Sequence, residues 1–228
     1  MIRRSATLFG AVAALVASLA VPSHAIEARL ARKLDDARDV IEMARSSDGI
    51  SIPAAVLARA RAVAIFPGTI KAGFIFGLRA GDGVVLSRDD QGGWSAPAFY
   101  SLASASGGLQ AGIQSVDVVL VIMNDRGLRA LLKNKTTLGG DINITAGPAS
   151  ASGEAVTDLA LRSEVLAYTR ARGIFAGVSL QGGSIAPSRR MNRSAYGRDI
   201  DVDEIIMQRG VAAPAEAEGL IRSLTNYR

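Results

Sequence analysis

Arginine is concentrated in one short segment near the C-terminal end of the sequence. Arg189, Arg190, Arg193 and Arg198 fall within ten positions, and the span that they delimit contains no acidic residue. The planar guanidinium group matches the oxygens of a phosphate, and each basic residue near a charged bilayer contributes about 1 kcal/mol of attraction. The segment therefore predicts a site for anionic phospholipid. The alternative interpretation is a solvated loop whose charges serve solubility.

Two further groups of basic residues extend this prediction. Lys133 and Lys135 follow a predicted helix, and basic residues begin the first predicted helix, in which acidic residues come later. A helix dipole favours the opposite order, so these first turns either meet an anionic surface or form the solvated side of a helix packed on the core. The candidate lipid-binding residues are Arg29, Arg32, Lys33, Lys133, Lys135, Arg189, Arg190, Arg193 and Arg198.

The sequence lacks the side chains on which most catalytic and metal sites depend. It contains no cysteine and a single histidine, His24, which lies in a segment that we expect to be removed. Ser-His-Asp hydrolysis, Cys-His chemistry and ordinary zinc or copper sites are thereby excluded, and we expect no enzyme, metal or cofactor. A carboxylate-dependent hydrolase is the remaining, unfavoured catalytic alternative. The acids available for it include Asp82, Asp117, Asp141 and Glu164.

Two patterns resemble ligand sites, but a structural role explains each of them better. Gly77, Gly81 and Gly83 lack the Lys-Ser/Thr ending and the following helix of a phosphate-binding loop. We interpret these glycines as hairpin-turn positions with positive φ. The acids within 199–204 lack the glycine and terminal glutamate of a calcium loop, and we assign them to the cap of a helix that starts near Val202.

The first 25 residues have the organisation of a secretory signal peptide. Arg3 and Arg4 precede an apolar run from Leu8 to Val21, and small residues end the segment at Ala25. The run is shorter than the about 20 apolar residues of a membrane span, and an uncleaved N-terminal anchor is the alternative. Cleavage after Ala25 leaves 203 residues and lowers the formal net charge from +5 to +3. We therefore expect an exported protein, periplasmic or extracellular, that is not a lipoprotein because it lacks cysteine.

Residues 26–228 are predicted to form a single α+β domain, with an antiparallel sheet or barrel-like core and flanking helices. Leu30, Leu34, Ala37 and Ile41 are spaced for one face of a helix, and later stretches rich in Val, Ile and Phe are separated by glycine-containing turns. The predicted helices are Ile26–Ser46, Ser51–Arg61, a segment from the Asn124 cap to Lys133, Asp203–Arg209 and Ala215–Asn226. The predicted strands are Ala62–Phe66, Ile70–Arg79, Gly83–Arg88, Trp94–Leu102, Leu109–Ser115, Val116–Met123, Thr136–Ala146 and Gly173–Leu180, the last followed by a loop rich in Ser and Arg.

Several short blocks occur in a characteristic order over about residues 55–200, which is most of the chain after the predicted signal peptide. The blocks include Ile65-Phe66-Pro67, Lys71-Ala72-Gly73-Phe74, Trp94-Ser95-Ala96-Pro97, Gly108-Leu109-Gln110-Ala111-Gly112, Phe175-Ala176-Gly177-Val178-Ser179-Leu180-Gln181-Gly182, and Asn192 with Tyr196-Gly197. Taken together, these blocks resemble the SYLF domain family. The resemblance implies a non-enzymatic module that binds anionic phospholipids, with phosphoinositide and actin binding described for eukaryotic members.

The function predicted from these observations is the binding of anionic phospholipid at a membrane surface by an exported, non-enzymatic module. An exported protein would meet neither actin nor cytosolic phosphoinositides, so actin binding is not expected. The alternative is a structural envelope protein that binds a protein partner. Nucleic acid is not an expected partner, because the net charge after cleavage is modest and aromatic residues make up only 5% of the chain.

Overall fold

A curled β-sheet forms the centre of the computed structural model, which describes residues 23–46, 51–73, 76–107, 112–148, 162–171 and 174–227. Residues 1–22, which carry most of the predicted signal peptide, lie outside these ranges. Within the ranges, no helix combines the length and the apolar character that crossing a bilayer requires.

The sheet contains nine strands within the described ranges, in the spatial order β5-β9-β3-β2-β1-β4-β7-β6, with β8 paired to β7. Every pairing is antiparallel except that of β6 with β7, which is parallel. The predicted α+β class is confirmed, and the sheet is a mixed half-barrel. The strands are β1 Ala62–Gly73, β2 Phe76–Ser87, β3 Ala98–Gly107, β4 Gly112–Ile122, β5 Thr136–Thr137, β6 Ile144–Ala146, β7 Val165–Ala171, β8 Ile174–Gly177 and β9 Ser184–Pro187.

Helices cover both faces of the sheet. The helix predicted after Asn124 is confirmed, and the Asn124 side chain caps it by accepting a hydrogen bond from the Gly127 N–H at 2.9 Å. The helices are α1 Ser23–Ser46, α2 Ala54–Ala58, α3 Asp125–Leu131, α4 Arg189–Tyr196, α5 Val202–Ile206 and α6 Glu218–Thr225, with a 3₁₀ turn at Ala215–Ala217.

The central strands bury side chains on both faces, because successive side chains along a strand point alternately into two separate cores. In β1, Val63 and Ile65 pack with α1, α2 and α6 on one face of the sheet. Ala64 and Phe66 point to the other face, which holds α3 and α5. The prediction that the Val116–Met123 segment is buried on both faces is confirmed for its apolar residues from Val118 to Ile122.

Helix α1 crosses the sheet instead of running along a strand. The Arg29 guanidinium contacts the Asp82 carboxylate on β2 at 2.7 Å, and the Lys33 Nζ donates to the Pro67 carbonyl on β1 at 3.3 Å. Further along the helix, Met43 lies against Arg170 on β7. The apolar face of α1 predicted from the sequence is buried against the sheet, and it consists of Leu30, Leu34, Ala37, Ile41 and Ala44.

The Pro67-Gly68 pair does not separate two strands, as the sequence analysis expected, but forms a bulge inside the long strand β1. The pairing of β1 with β2 shifts register between Ile65 and Ile70, and Gly68 adopts a φ of +61°. Side chains complete the irregular backbone: the Thr69 hydroxyl donates to the Phe66 carbonyl at 3.0 Å. The prediction of a single strand over Ile70–Arg79 was wrong, because this range contains the end of β1 and the start of β2, which are two antiparallel strands.

The glycines at 81 and 83 were wrongly assigned to a hairpin turn, since both lie within β2 and neither is among the positive-φ glycines. They are required by close packing against the bulge. A Cβ atom at Gly83 would stand 2.2 Å from the Ile65 carbonyl oxygen and 2.5 Å from the Phe66 ring, and one at Gly81 would stand 2.7 Å from the Thr69 hydroxyl. The main chain of β2 can lie over the bulge only because these side chains are absent.

Four other segments differ from the sequence prediction. The Ser- and Arg-rich loop contains helix α4, and the continuous strand predicted over Thr136–Ala146 is two short strands, β5 and β6. Strand β7 was not predicted, although Val165, Leu166, Ala167 and Tyr168 are all buried there. The two strands predicted between Leu109 and Met123 are a single strand, β4, within the described residues.

Replacement of Gly83 by Ala is expected to lower the free energy of unfolding by about 1–3 kcal/mol, because the new methyl group meets backbone and ring atoms that cannot withdraw. Urea denaturation followed by the fluorescence of Trp94 measures this loss. The matched control is Gly140→Ala, where the new Cβ meets nothing closer than 3.3 Å. Equal stability of the two variants would contradict the packing explanation.

Candidate functional site

Helix α4 carries three of the four clustered arginines and is held rigidly on the sheet. Asn192 is buried, and its side-chain amide bonds to both main-chain groups of Phe99 on β3. The Phe99 N–H donates to Asn192 Oδ1 at 2.7 Å, and Asn192 Nδ2 donates to the Phe99 carbonyl at 3.1 Å. Met191 is buried beside it, so the exposed residues of the helix have a fixed orientation relative to the sheet.

Two of the clustered arginines are neutralised by carboxylates. Arg193 donates to the two carboxylate oxygens of Asp199 through Nε and Nη2, and Arg198 donates to those of Glu204 through Nη1 and Nη2. Hydrogen bonds from the two arginines hold the pKa values of both carboxyl groups below their usual range. The segment from 189 to 198 lacks acids in the sequence, but the fold supplies them from the residues that follow.

Arg189 and Arg190 lie at the exposed start of α4, next to the loop after α3. The Arg189 guanidinium donates to the Asn134 side-chain oxygen at 3.4 Å, which brings Arg189 to the loop that carries Lys133 and Lys135. Lys133 stands 3.9 Å from Asp141, and among the described residues neither Arg190 nor Lys135 forms an ion pair. We call Lys133, Lys135, Arg189 and Arg190 the edge cluster, because they lie beside the edge formed by β9 and β5.

A cavity of about 310 Å³ opens beside the edge cluster. Arg189 and Asn134 line it, together with the carboxylates of Asp199 and Asp201. Its walls thus carry charges of both signs. Arg189 offers guanidinium donors suited to a phosphate, whereas the carboxylates favour a cation.

The three candidate residues of α1 form a separate group. Arg29 pairs with Asp82, Lys33 reaches the Pro67 carbonyl, and Arg32 is exposed. None of the hydrogen bonds or ion pairs among the described residues joins them to the edge cluster. The nine candidate residues therefore divide between two surfaces.

Comparison with known proteins agrees with the resemblance found in the sequence. The family model described as "Ysc84: Las17-binding protein actin regulator" matches residues 103–227. The chain belongs to this family.

Relatives in the Ysc84 family come from animals and yeast. SH3 domain-containing YSC84-like protein 1 of Bos taurus is 37% identical over 177 residues, which are 77% of this chain and 51% of that protein. Protein YSC84 of Saccharomyces cerevisiae is 38% identical over 176 residues, covering 76% of this chain and 37% of the yeast protein. LAS seventeen-binding protein 3 of the same species is 36% identical over 184 residues, with coverage of 78% and 40%. The chain thus spans about half the length of the mammalian relatives and less of the yeast ones.

The acids considered for a hydrolase have structural partners in this Ysc84-family fold. Asp82 binds Arg29 and the Ser101 hydroxyl, and Asp117 binds Arg170 and the Gly68 N–H. Their carboxylates thereby connect α1 to β2 and the bulge to β7.

The other two acids have partners of the same kind. Asp141 accepts from the Thr137 N–H at 2.7 Å, and Glu164 accepts from the Asn143 N–H at 2.7 Å while also pairing with Arg126. Each of the four carboxylates thus stabilises a turn or joins neighbouring elements.

The acidic residues near position 201 act as a helix cap, as predicted. The Asp201 side chain accepts a hydrogen bond from the Asp203 N–H at 3.0 Å at the start of α5. Across the part of the chain that the structure describes, there is no group of three or more acidic, histidine or cysteine side chains arranged to hold a metal ion.

Sequence reasoning did not single out two features at the outer ends of the central strands. Ile70, Leu78 and Ile113 are large apolar side chains that are exposed, and Arg79 is a buried guanidinium. The strand alternation around Leu78 and Arg79 could have shown that the two residues face opposite ways.

Replacement of Asn192 by Asp is expected to lower the free energy of unfolding by about 2–4 kcal/mol, because a carboxylate cannot donate to the Phe99 carbonyl and two buried acceptors then face each other. Chemical denaturation monitored by circular dichroism measures the change. Asn134→Asp is the matched control, because Asn134 is exposed and its side-chain oxygen only accepts from Arg189. A small loss of stability in both variants would show that the amide does not anchor α4.

Proposed function

We propose that this chain is a non-enzymatic module that binds anionic phospholipid at a membrane surface through basic side chains. The observation that supports the proposal is the hydrogen bond from Arg189 to Asn134, which joins the start of α4 to the loop that carries Lys133 and Lys135. These side chains are exposed, and α4 is anchored by Asn192, so the basic groups are presented on a rigid support.

Electrostatic attraction to a charged bilayer suits this arrangement. Each basic residue close to an anionic surface contributes about 1 kcal/mol, and the contribution falls within a Debye length of about 10 Å at moderate salt. Arg193 and Arg198 are expected to contribute less, because Asp199 and Glu204 already neutralise them. The edge cluster, and not the whole arginine segment, is therefore the proposed contact.

We also propose that the protein is exported and acts in the periplasm or outside the cell. The basic start, the apolar run from Leu8 to Val21 and the small residues up to Ala25 support this location. In that location the family's actin-related partners would be out of reach, and the lipid surface of the envelope would be the anionic partner.

The second candidate function is the binding of a protein partner in the cell envelope. Support comes from the names of relatives, which refer to Las17 binding and to SH3 domains, not to a catalysed reaction. The mixed charges around Arg189, Asp199 and Asp201 suit a polar protein surface as well as a head group.

Substitution of Arg189 and Arg190 together by Ser is expected to weaken binding to anionic vesicles about tenfold or more, because two unneutralised charges are lost. The measurement is co-sedimentation of residues 26–228 with vesicles of equal parts phosphatidylcholine and phosphatidylglycerol, compared with pure phosphatidylcholine. Added salt is expected to weaken binding by the unsubstituted protein.

The matched control replaces Arg193 and Arg198 by Ser, which removes the same formal charge from the same segment. Because those two arginines are paired with carboxylates, a smaller effect is expected. Equal binding of the unsubstituted protein to both vesicle types would refute phospholipid binding. Unchanged binding after Arg189→Ser and Arg190→Ser would refute the edge cluster as the contact.

A further inference from the structure

Three large apolar side chains stand exposed at the outer ends of the central strands. Ile70 on β1 is 49% exposed, Leu78 on β2 is 67% exposed and Ile113 on β4 is 79% exposed. Contiguous exposed apolar surface on a folded domain marks a contact with a partner or a membrane, whereas single exposed residues need no explanation.

These side chains form one contiguous patch, because the strand register aligns them. Ala72 of β1 lies directly opposite both Leu78 and Ile113, so all three residues point to the same face in one row across the sheet. Ile70 and Ala80 lie opposite each other in the next row of that face. We call this surface the strand-end patch: Ile70, Ala72, Leu78, Ala80, Ala103, Ala105 and Ile113.

The patch is uncovered because α1 crosses the sheet before the strands end. Leu78, Ala80 and Asp82 occupy alternate positions of β2, and Asp82 is the residue that Arg29 contacts on the α1 face. Leu78 lies four residues beyond that contact, about 13 Å further along the strand. The central strands therefore project past the helix with their apolar side chains exposed.

The strand segments that form the patch carry basic residues and no acid. Residues 69–81 and 102–116 contain no acid, whereas Lys71 and Arg79 lie opposite each other on the reverse face of the same strand ends. At the inner border of the patch, α1 contributes the exposed Arg32 and Lys33, which reaches the Pro67 carbonyl, whereas Arg29 is paired there with Asp82. Apolar side chains bordered by basic residues are the combination that binds an anionic bilayer peripherally.

Arg79 strengthens the assignment to an anionic partner. The residue is 9% exposed, and among the described residues its Nη1 atom has no hydrogen-bond partner. Burial lowers the pKa of its guanidinium group. A buried guanidinium donor that lacks an acceptor is costly, and a phosphate brought to the strand ends would relieve that cost.

We propose that the strand-end patch enters the apolar region of an anionic bilayer, while the basic residues of α1 and the reverse face remain at the level of the phosphates. The proposal rests on the proposed function of phospholipid binding and assigns to it a second surface, separate from the edge cluster, as the part of the molecule that inserts. A second copy of this chain would fit the patch less well, because its own patch would bring the same basic border into contact.

The absence of cysteine from the sequence makes insertion directly measurable. Ile113→Cys and Leu78→Cys, each labelled with an environment-sensitive fluorophore, are mixed with vesicles of equal parts phosphatidylcholine and phosphatidylglycerol. We expect a blue shift with increased emission, and quenching by lipids that carry a spin label in the acyl chain. Met207→Cys is the matched control, because Met207 is 43% exposed and follows Ile206, whose carbonyl accepts a hydrogen bond from Ser87 at the opposite end of β2 from Leu78. It should show neither change.

A second measurement tests the energetic role of the patch. The double variant Leu78→Ser with Ile113→Ser is expected to bind the same vesicles at least tenfold more weakly, whereas Met207→Ser should bind as the unsubstituted protein does. All three positions are exposed, so folding is not disturbed.

The outcomes separate this proposal from the proposed function. If the unsubstituted protein binds anionic vesicles but the labels at 78 and 113 are not quenched and the Ser variant binds normally, insertion is refuted and phospholipid binding stands. If no binding occurs, phospholipid binding is refuted, and insertion with it. If Leu78→Ser with Ile113→Ser instead converts a dimer into a monomer without changing vesicle binding, the occupant is a second copy and the proposal is overturned.

Discussion

The bulge at Pro67-Gly68 is the constraint on which the arrangement of this molecule depends. It shifts the register of β1 in the middle of the sheet, and the neighbouring strand follows it closely only because Gly81 and Gly83 have no side chains. The bulge also forms polar contacts: the Gly68 N–H donates to the Asp117 carboxylate, which accepts a second hydrogen bond from Arg170 on β7. Helix α1 crosses the sheet at the bulge, where the Lys33 side chain donates to the Pro67 carbonyl. The bulge thus marks the boundary between the covered and uncovered parts of the sheet.

The fold determines which arginines of the basic segment 189–198 are paired with carboxylates. Gly197 ends α4 in a left-handed conformation with a φ of +69°, and the chain then turns back along the helix. This reversal places Asp199 on Arg193 and Glu204 on Arg198. Basic residues that are close in sequence therefore have different electrostatic roles. Arg189 and Arg190 precede the reversal, and Arg189 contacts a loop that lies more than fifty residues away in sequence.

The sequence predicted those features that depend on local periodicity and capping. The apolar spacing of α1, the Asn124 cap of α3 and the Asp201 cap of α5 are properties of adjacent turns, and the structure confirms all three. The family resemblance and the α+β class were also correct.

Features that depend on contacts between distant strands could not be predicted in the same way. A Pro-Gly pair indicates a turn unless neighbouring strands continue past it. Both β2 and β4 continue past Pro67, but no residue near Pro67 in the sequence indicates this. The division of the nine candidate residues between two surfaces could not be predicted for the same reason. The partners of Arg29 and Arg189, which are Asp82 and Asn134, come from parts of the chain that are brought close only by the folded sheet.

The two outermost strands of the sheet, β5 and β6, contain only two and three residues. Short edge strands leave few free main-chain donors and acceptors for another chain to pair with, and natural sheets use them to avoid edge-to-edge aggregation. A protein that exposes apolar side chains at its strand ends is at particular risk of such association. By ending its sheet in these short strands, the fold limits growth along the hydrogen-bonding direction at β5 and β6.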